Sequence, residues 1–151
     1  MDVNMMVNQF VPCVGAVILD EELRVLLVKH IPQKGGFWID KYICPGGRLE
    51  FGEFLEDGVR REVREETGLE IEIVTWVRPM ERIIRSADKT IQEHILYLDA
   101  VARVKEGRFK PASDVGEGNW FSREELIEIR DEIHEDTQML LKEAGLVEWE
   151  E

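Results

Sequence analysis

Residues 47–69 read GRLEFGEFLEDGVRREVREETGL, and this segment organises the rest of the chain. From about Phe54 to Thr67 the spacing predicts a helix, with Gly68 placed to end it in the left-handed conformation that favours glycine. On a wheel of about 100° per residue, Leu55, Val59 and Val63 form the apolar stripe that should face a core. Glu62 and Glu66 fall inside the same arc, and Glu65 lies at its edge. Glu56, Asp57, Arg60 and Arg64 occupy the opposite, solvated face. An ordinary amphipathic helix would carry Leu or Ala where Glu62 and Glu66 stand. Burying part of a carboxylate is costly unless a cation compensates it. Acids at i, i+3 and i+4 on an inward-leaning face therefore point to a hard, oxygen-seeking metal such as Mg²⁺. Arg61 is placed to pair with Glu65 one turn later. On the wheel alone, a solvated charge run fits the same pattern.

The flanking sequence predicts strands before and after the helix. Val14–Leu19 and Arg24–Lys29, joined by an acidic turn at Asp20, Glu21 and Glu22, read as a β-hairpin. Tyr42, Ile43 and Cys44 read as a brief strand stopped by Pro45, Gly46 and Gly47. Leu69–Val77 alternates as a strand with Ile71, Ile73, Thr75 and Val77 on one side. Thr90–Val104 is a second long strand, with Ile95, Tyr97 and Asp99 on one face and Leu96, Leu98 and Ala100 on the other. Lys105–Asn119 reads as a loop. Ser122 followed by Glu125 is a capping box that opens a short helix to about Arg130. Asp136–Ala144 makes a last helix ended by Gly145. There are no internal repeats or linkers, so residues 1–151 are expected to form a single α/β domain with a mixed sheet.

Composition narrows the function classes. The chain has 151 residues and is 44% hydrophobic with four tryptophans, which supports a packed globule. The formal net charge is −13, against the basic face of a nucleic-acid binder. An acidic protein that handles polyanionic phosphates needs cations as intermediaries. No apolar run approaches the roughly 20 residues of a membrane-spanning helix, and Met1–Phe10 lacks the pattern of a signal peptide. Cys13 and Cys44 show no metal-ligand spacing and read as buried thiols, so a cytoplasmic location is expected.

The spacing of residues 47–69 resembles the signature of the Nudix hydrolase family, Gly-x5-Glu-x7-Arg-Glu-(apolar)-x-Glu-Glu-x-Gly-(apolar). Gly47, Glu53, Arg61, Glu62, Val63, Glu65, Glu66, Gly68 and Leu69 occupy every specified position. The likeness extends to the preceding Pro45-Gly46 and to the downstream run from Trp120 to Leu126. It implies an α/β/α sandwich of a mixed sheet flanked by helices. It also implies a Mg²⁺-dependent pyrophosphohydrolase, with Mn²⁺ as a substitute ion. By position, Glu62, Glu65 and Glu66 would bind the metal, with the Gly46 carbonyl as a further ligand. Glu53 would support the metal or its waters, and Arg61 would orient the glutamates. Gly46 and Gly47 would let the backbone approach the phosphates. The implied reaction is attack of a metal-activated water on phosphorus, with Glu62 or Glu66 as a candidate base.

Outside this segment, Asp114 and Glu117 lie in the stretch from which related enzymes draw a further metal ligand or base. His134 is similar in place to the C-terminal histidine of the GDP-mannose hydrolase branch, although a surface or capping role suits it better. His94 is placed to face the nucleotide pocket, and His30 reads as structural. Phe37 and Trp38, in the loop before the segment, are candidates for base stacking, whereas Trp120 reads as packing. The run from Gly46 to Glu53 is similar to that of small, MutT-like enzymes acting on normal or oxidised nucleoside triphosphates. ADP-ribose and nucleotide sugars are the alternative substrates, and a non-catalytic nucleotide-sensing module is the alternative of another class. A small-molecule nucleotide is the expected partner, without nucleic acid or membrane, and family habit allows a homodimer.

Overall fold

A computed structural model describes residues 9–32 and 39–150. The chain forms β1 (Gln9–Leu19), β2 (Val25–His30), β3 (Gly46–Arg48), α1 (Leu55–Thr67), β4 (Glu70–Trp76), β5 (Met80–Arg85), β6 (Ile91–Glu106), β7 (Val115–Phe121), α2 (Arg123–Glu128) and α3 (Glu135–Glu143). The described strands make one mixed, seven-stranded sheet in the order β4-β6-β1-β2-β7, with β3 paired to β1 and β5 to β6. β1 and β6 run parallel over their shared length, from Gln9↔Glu93 to Leu19↔Arg103.

Alternation along the central strands divides the core in two. Val14, Ala16 and Ile18 of β1 and Leu26 and Val28 of β2 pack against Val59 and Val63 of α1. Val17, Val25 and Leu27 face the other way, onto Leu126 of α2 and Leu140 and Leu141 of α3. A two-residue period on buried strands thus supplies both faces of the sandwich. The expectation of a mixed sheet flanked by helices holds.

The helix carrying the acids begins one residue later than its sequence suggests, with Phe54 as N-cap. Gly68 closes it at φ 76°, donating its N–H to the Arg64 carbonyl at 2.9 Å. Val59 and Val63 are fully buried, as their stripe requires, but Leu55 is 37% exposed. It stands on the first turn, and the core cluster that takes up Val59 and Val63 does not include it.

Three local expectations need correction. β1 and β2 are adjacent and antiparallel, but their only register pair is Leu19↔Val25. The Asp20 carboxylate sets that turn, accepting the backbone N–H groups of Glu22 at 3.0 Å and Arg24 at 2.8 Å. Beyond it the strands diverge, and residues 43–48 fill the gap. There Val28 bridges Ile43, and Ala16 donates to the Pro45 carbonyl at 3.1 Å. Tyr42 and Ile43 make isolated bridges only, whereas the ladder strand is Gly46–Arg48, opposite Cys13–Gly15. β5 was not expected, and β7 begins inside the stretch expected to be a loop. Its two glycines weaken any strand signal, and the pairing with β2 from Val25↔Phe121 to His30↔Val115 supplies what local propensity lacks.

The capping box on α2 is present. Ser122 Oγ accepts the Glu125 N–H at 3.2 Å, and the Glu125 carboxylate accepts the Ser122 N–H at 2.8 Å. Ser122→Ala is expected to cost about 1 kcal/mol of stability by removing one of these two bonds. Urea denaturation checks this, and an unchanged midpoint would contradict it.

Candidate active site

The gap between β1 and β2 brings α1 and β3 together. Gly46 stands opposite Gly15, and Gly47 opposite Val14. A Cβ on Gly46 would lie 2.5 Å from the Val14 carbonyl oxygen and 2.9 Å from Gly15 Cα. A Cβ on Gly47 would lie 2.5 Å from a Glu62 carboxylate oxygen. Both glycines are therefore required inside the protein itself, one for strand packing and one to seat Glu62, whatever they do for a ligand.

Glu66 is 3% exposed. Its Oε1 accepts the Gly46 N–H at 3.0 Å, and its Oε2 lies 3.4 Å from Nε2 of the buried His30. Glu62 sits beside it and is largely buried. Burial pushes the Glu62 carboxyl above its ordinary value and Arg61 pulls it back, while the neighbouring charges of Glu66 and Glu65 add to the rise. Glu65 differs, with a side chain 49% exposed. The wheel's division, with Glu62 and Glu66 inside the apolar arc and Glu65 at its edge, thus appears as two largely buried carboxylates and one at the rim.

Arg61 is the organising cation. Its Nε and Nη2 hold both Glu53 oxygens, at 2.6 and 2.9 Å. Nη1 donates to Glu62 at 2.8 Å, and Nη2 to the Arg48 carbonyl at 3.0 Å. The expected partner, Glu65, is reached only at 3.4 and 3.5 Å. Fork geometry explains the choice, because a two-point pair with a largely buried carboxylate outweighs an exposed i,i+4 pair. Arg61 in turn holds the Glu53 carboxyl below the usual carboxylate range.

Glu62, Glu66, Gly46 and Gly47 border a cavity of about 580 Å³ that runs along the α3 side of the sheet. Val11, Ile43, Met80, Ile84, Ile95 and Leu140 give it apolar walls. Asp114 and His134 also line it, whereas Glu117 is exposed on β7 opposite Lys29. His134 is buried and caps α3, its Nδ1 accepting the Asp136 N–H at 3.1 Å. Burial lowers its pKa. The capping role is correct and the surface position is not. His94 does not line the cavity; it pairs with Glu81 at 2.7 Å and stacks on Phe10. Phe37 and Trp38 lie outside the described residues. Trp120 packs against the α1-side core, as expected.

Sequence reasoning missed three cavity groups: Asp99, Cys13 and Cys44. Burial pushes the Asp99 carboxyl up to about 7 and the Cys13 thiol up to about 11. The signal was available for Asp99, a lone acid on the strand face that also carries Ile95 and Tyr97.

Among the described residues, no set of three or more His, Cys, Asp or Glu side chains is already disposed to hold a metal ion. The donor chemistry nevertheless fits a hard cation. Two carboxylates are packed together behind glycine backbone with only part of their charge matched, and an oxygen-seeking divalent ion would offset the remainder. Glu65 would have to swing in from solvent to join them.

Comparison with known proteins places this arrangement. The model of the NUDIX domain matches residues 9–142. The chain is 31% identical over 111 residues to an ADP-ribose pyrophosphatase of Methanocaldococcus jannaschii, a match covering 72% of this chain and 60% of that protein. It is 30% identical over 139 residues to the nucleoside triphosphatase NudI of an Enterobacter species, covering 86% of this chain and 94% of that one. The chain thus spans about 60% of the methanogen relative's length but nearly all of the NudI protein. The fold is shared with a MutT NUDIX hydrolase from Burkholderia pseudomallei, with a TM-score of 0.74 at 24% identity over 90% of this chain and 98% of that chain. The two matched carboxylates behind Gly46 and Gly47 lie within the matched region, and the chain belongs to the Nudix family.

Proposed function

We propose that this chain is a Mg²⁺-dependent pyrophosphohydrolase that cleaves a phosphoanhydride bond in a nucleoside-diphosphate-linked compound, with nucleoside triphosphates as the favoured substrates. The observation that carries this reading is the pairing of buried Glu62 and Glu66 at one end of a cavity of about 580 Å³ with apolar walls. The carboxylates suit a metal-bridged diphosphate, and the cavity has the size and lining of a site for an organic group. The near-complete coverage of the NudI nucleoside triphosphatase supports the triphosphate. ADP-ribose is the second reading, favoured by the methanogen relative.

In this reading Glu62, Glu66 and an inward-turned Glu65 hold the cation together with the Gly46 carbonyl. When bound, a divalent ion there supplies neutralisation of phosphate charge and acidification of water. Arg61 and Glu53 keep Glu62 in place, so little reorganisation is needed on binding. Glu62 or Glu66 takes the proton of the attacking water. Asp114, which also lines the cavity, is the further candidate for that role. Among the described residues no helix is long and apolar enough to cross a membrane.

The test is a substrate panel of nucleoside triphosphates, oxidised deoxynucleotides, ADP-ribose, GDP- and UDP-sugars and dinucleoside polyphosphates. Each is assayed with Mg²⁺, with Mn²⁺ and with EDTA, and products are identified by mass. Turnover of triphosphates with Mg²⁺, abolished by EDTA, is expected. Binding without turnover across the whole panel would replace the enzyme with a nucleotide-sensing module.

A further inference from the structure

Asp99 has no part in the arrangement of Glu62, Glu66 and Arg61, and it is a buried carboxyl in the cavity wall. It is 7% exposed. Its backbone carbonyl accepts the Val77 N–H at 2.9 Å, but its carboxyl makes no hydrogen bond or ion pair to any described residue. The polar groups nearby do not serve it. Tyr97, two residues away on the same strand face, donates its hydroxyl to Asp136 at 2.7 Å. Cys13 and Cys44 carry only weak thiol donors. Among the other residues on this face of β6, Ile95 and Val101 are apolar, so an aliphatic side chain at 99 would suit the core better.

Its position is informative. A Cβ on Gly15 would sit 2.8 Å from Asp99 Oδ1 and 2.7 Å from the Pro45 carbonyl oxygen. The carboxyl therefore lies against the β1–β3 pair, close to where Gly46 anchors Glu66, and faces the cavity beyond the carboxylate end. The remaining charged lining is mixed, with Arg48, Glu93 and Asp136, the last paired to Arg82 at 2.8 Å, and His134 is held toward its neutral form.

We propose that Asp99 accepts a hydrogen bond from a neutral N–H or O–H donor on the nucleoside carried by the diphosphate, and that it is the specificity-determining residue of the cavity. This rests on the pyrophosphohydrolase reading for the identity of the diphosphate, but not for the contact itself. An acceptor in the cavity wall with no partner among the described residues disfavours a ligand that displaces water from it and leaves it unmet, so the donor is selected rather than merely tolerated.

The test compares wild type with Asp99→Leu and Asp99→Asn. In Asp99→Leu, kcat/KM on the preferred nucleotide is expected to fall about 10- to 100-fold, mainly through KM. Its preference among nucleotides should flatten while its Tm rises. Asp99→Asn keeps a carbonyl acceptor and should retain most of the discrimination. Two arms identify the donor: GTP, ITP, ATP, CTP and UTP vary the base, and ribo- against deoxyribonucleotides vary the sugar. The arm whose preference collapses in Asp99→Leu names the group. Unchanged KM and unchanged ranking in Asp99→Leu would overturn the proposal. If wild type turns over nothing, the hydrolase reading fails separately. Calorimetric binding of GMP, AMP and CMP to wild type and Asp99→Leu then decides the Asp99 contact, and equal affinity, or none in either, overturns it.

Discussion

Glu66→Gln is expected to reduce Mg²⁺-dependent hydrolysis by about 10²- to 10⁴-fold while leaving the fold at least as stable. Metal-borne charge stabilisation is worth several kcal/mol in the transition state, and each 1.4 kcal/mol is about tenfold in rate. Gln has the shape of Glu, and its carbonyl can still accept the Gly46 N–H that Glu66 now binds at 3.0 Å. What is lost is a negative charge beside Glu62, whose carboxyl is already pushed up by burial and by Glu66 itself. Relieving that repulsion offsets the lost contacts, so activity and stability should move independently. Glu62→Gln should behave alike in activity, although it also loses its charge pairing with Arg61 at 2.8 Å. The double variant should cost little more than either single change, because the two groups act on one ion. Steady-state kinetics across a Mg²⁺ titration, with Tm measured alongside, checks this. Activity within threefold of wild type for Glu66→Gln would remove that residue from the site.

Gly46→Ala should be the most damaging change of a single methyl group. The added carbon would meet the Val14 carbonyl oxygen at 2.5 Å and Gly15 Cα at 2.9 Å. Both are backbone atoms of β1, so no side chain can swing away to make room. Relief requires β3 to lift from β1, breaking the ladder at Gly15↔Gly46 and loosening the anchor of Glu66. A loss of about 3 kcal/mol and of most activity is expected, at the upper end of overpacking costs. Gly52→Ala is the control. It has φ 81° but open space around it, so it should cost only about 1 kcal/mol and keep hydrolysis. Urea denaturation of both variants checks the contrast, and equal losses would show that backbone packing at Gly46 is not the cause.

Much of α1 was legible in advance because its information is local. The stop at Gly68, the burial of Val59 and Val63 and the inward lean of Glu66 follow from a helical period and a left-handed cap. The sheet was less legible. β5, which reads MERIIR, pairs charged with charged and apolar with apolar neighbours instead of alternating them, and β7 carries Gly116 and Gly118. Neither has a strand signal strong enough to stand without its partner. The hairpin of β1 and β2 forms at its turn but does not extend beyond it, for a related reason. Its turn is encoded by Asp20, but residues 43–48 compete for the same edges of both strands and win.

The sequence by itself determined the helix, the spacing of its acids and the alternation that puts Ile95, Tyr97 and Asp99 on one face of β6. Each depends on residues a few positions apart, whose relative placement the covalent chain nearly imposes. Only the tertiary structure decided that Arg61 grips Glu53 and Glu62 rather than Glu65, and that Glu66 is anchored by the Gly46 N–H. It alone also decided that the face carrying Asp99 borders a cavity rather than a core. Burial and ion pairing depend on which distant segments arrive at the same place. Gly46 meets Glu66 across 20 positions of sequence, and β6 meets α3 across still more. No local period encodes such distances. They are set by the packing of the whole sheet between its two layers of helix.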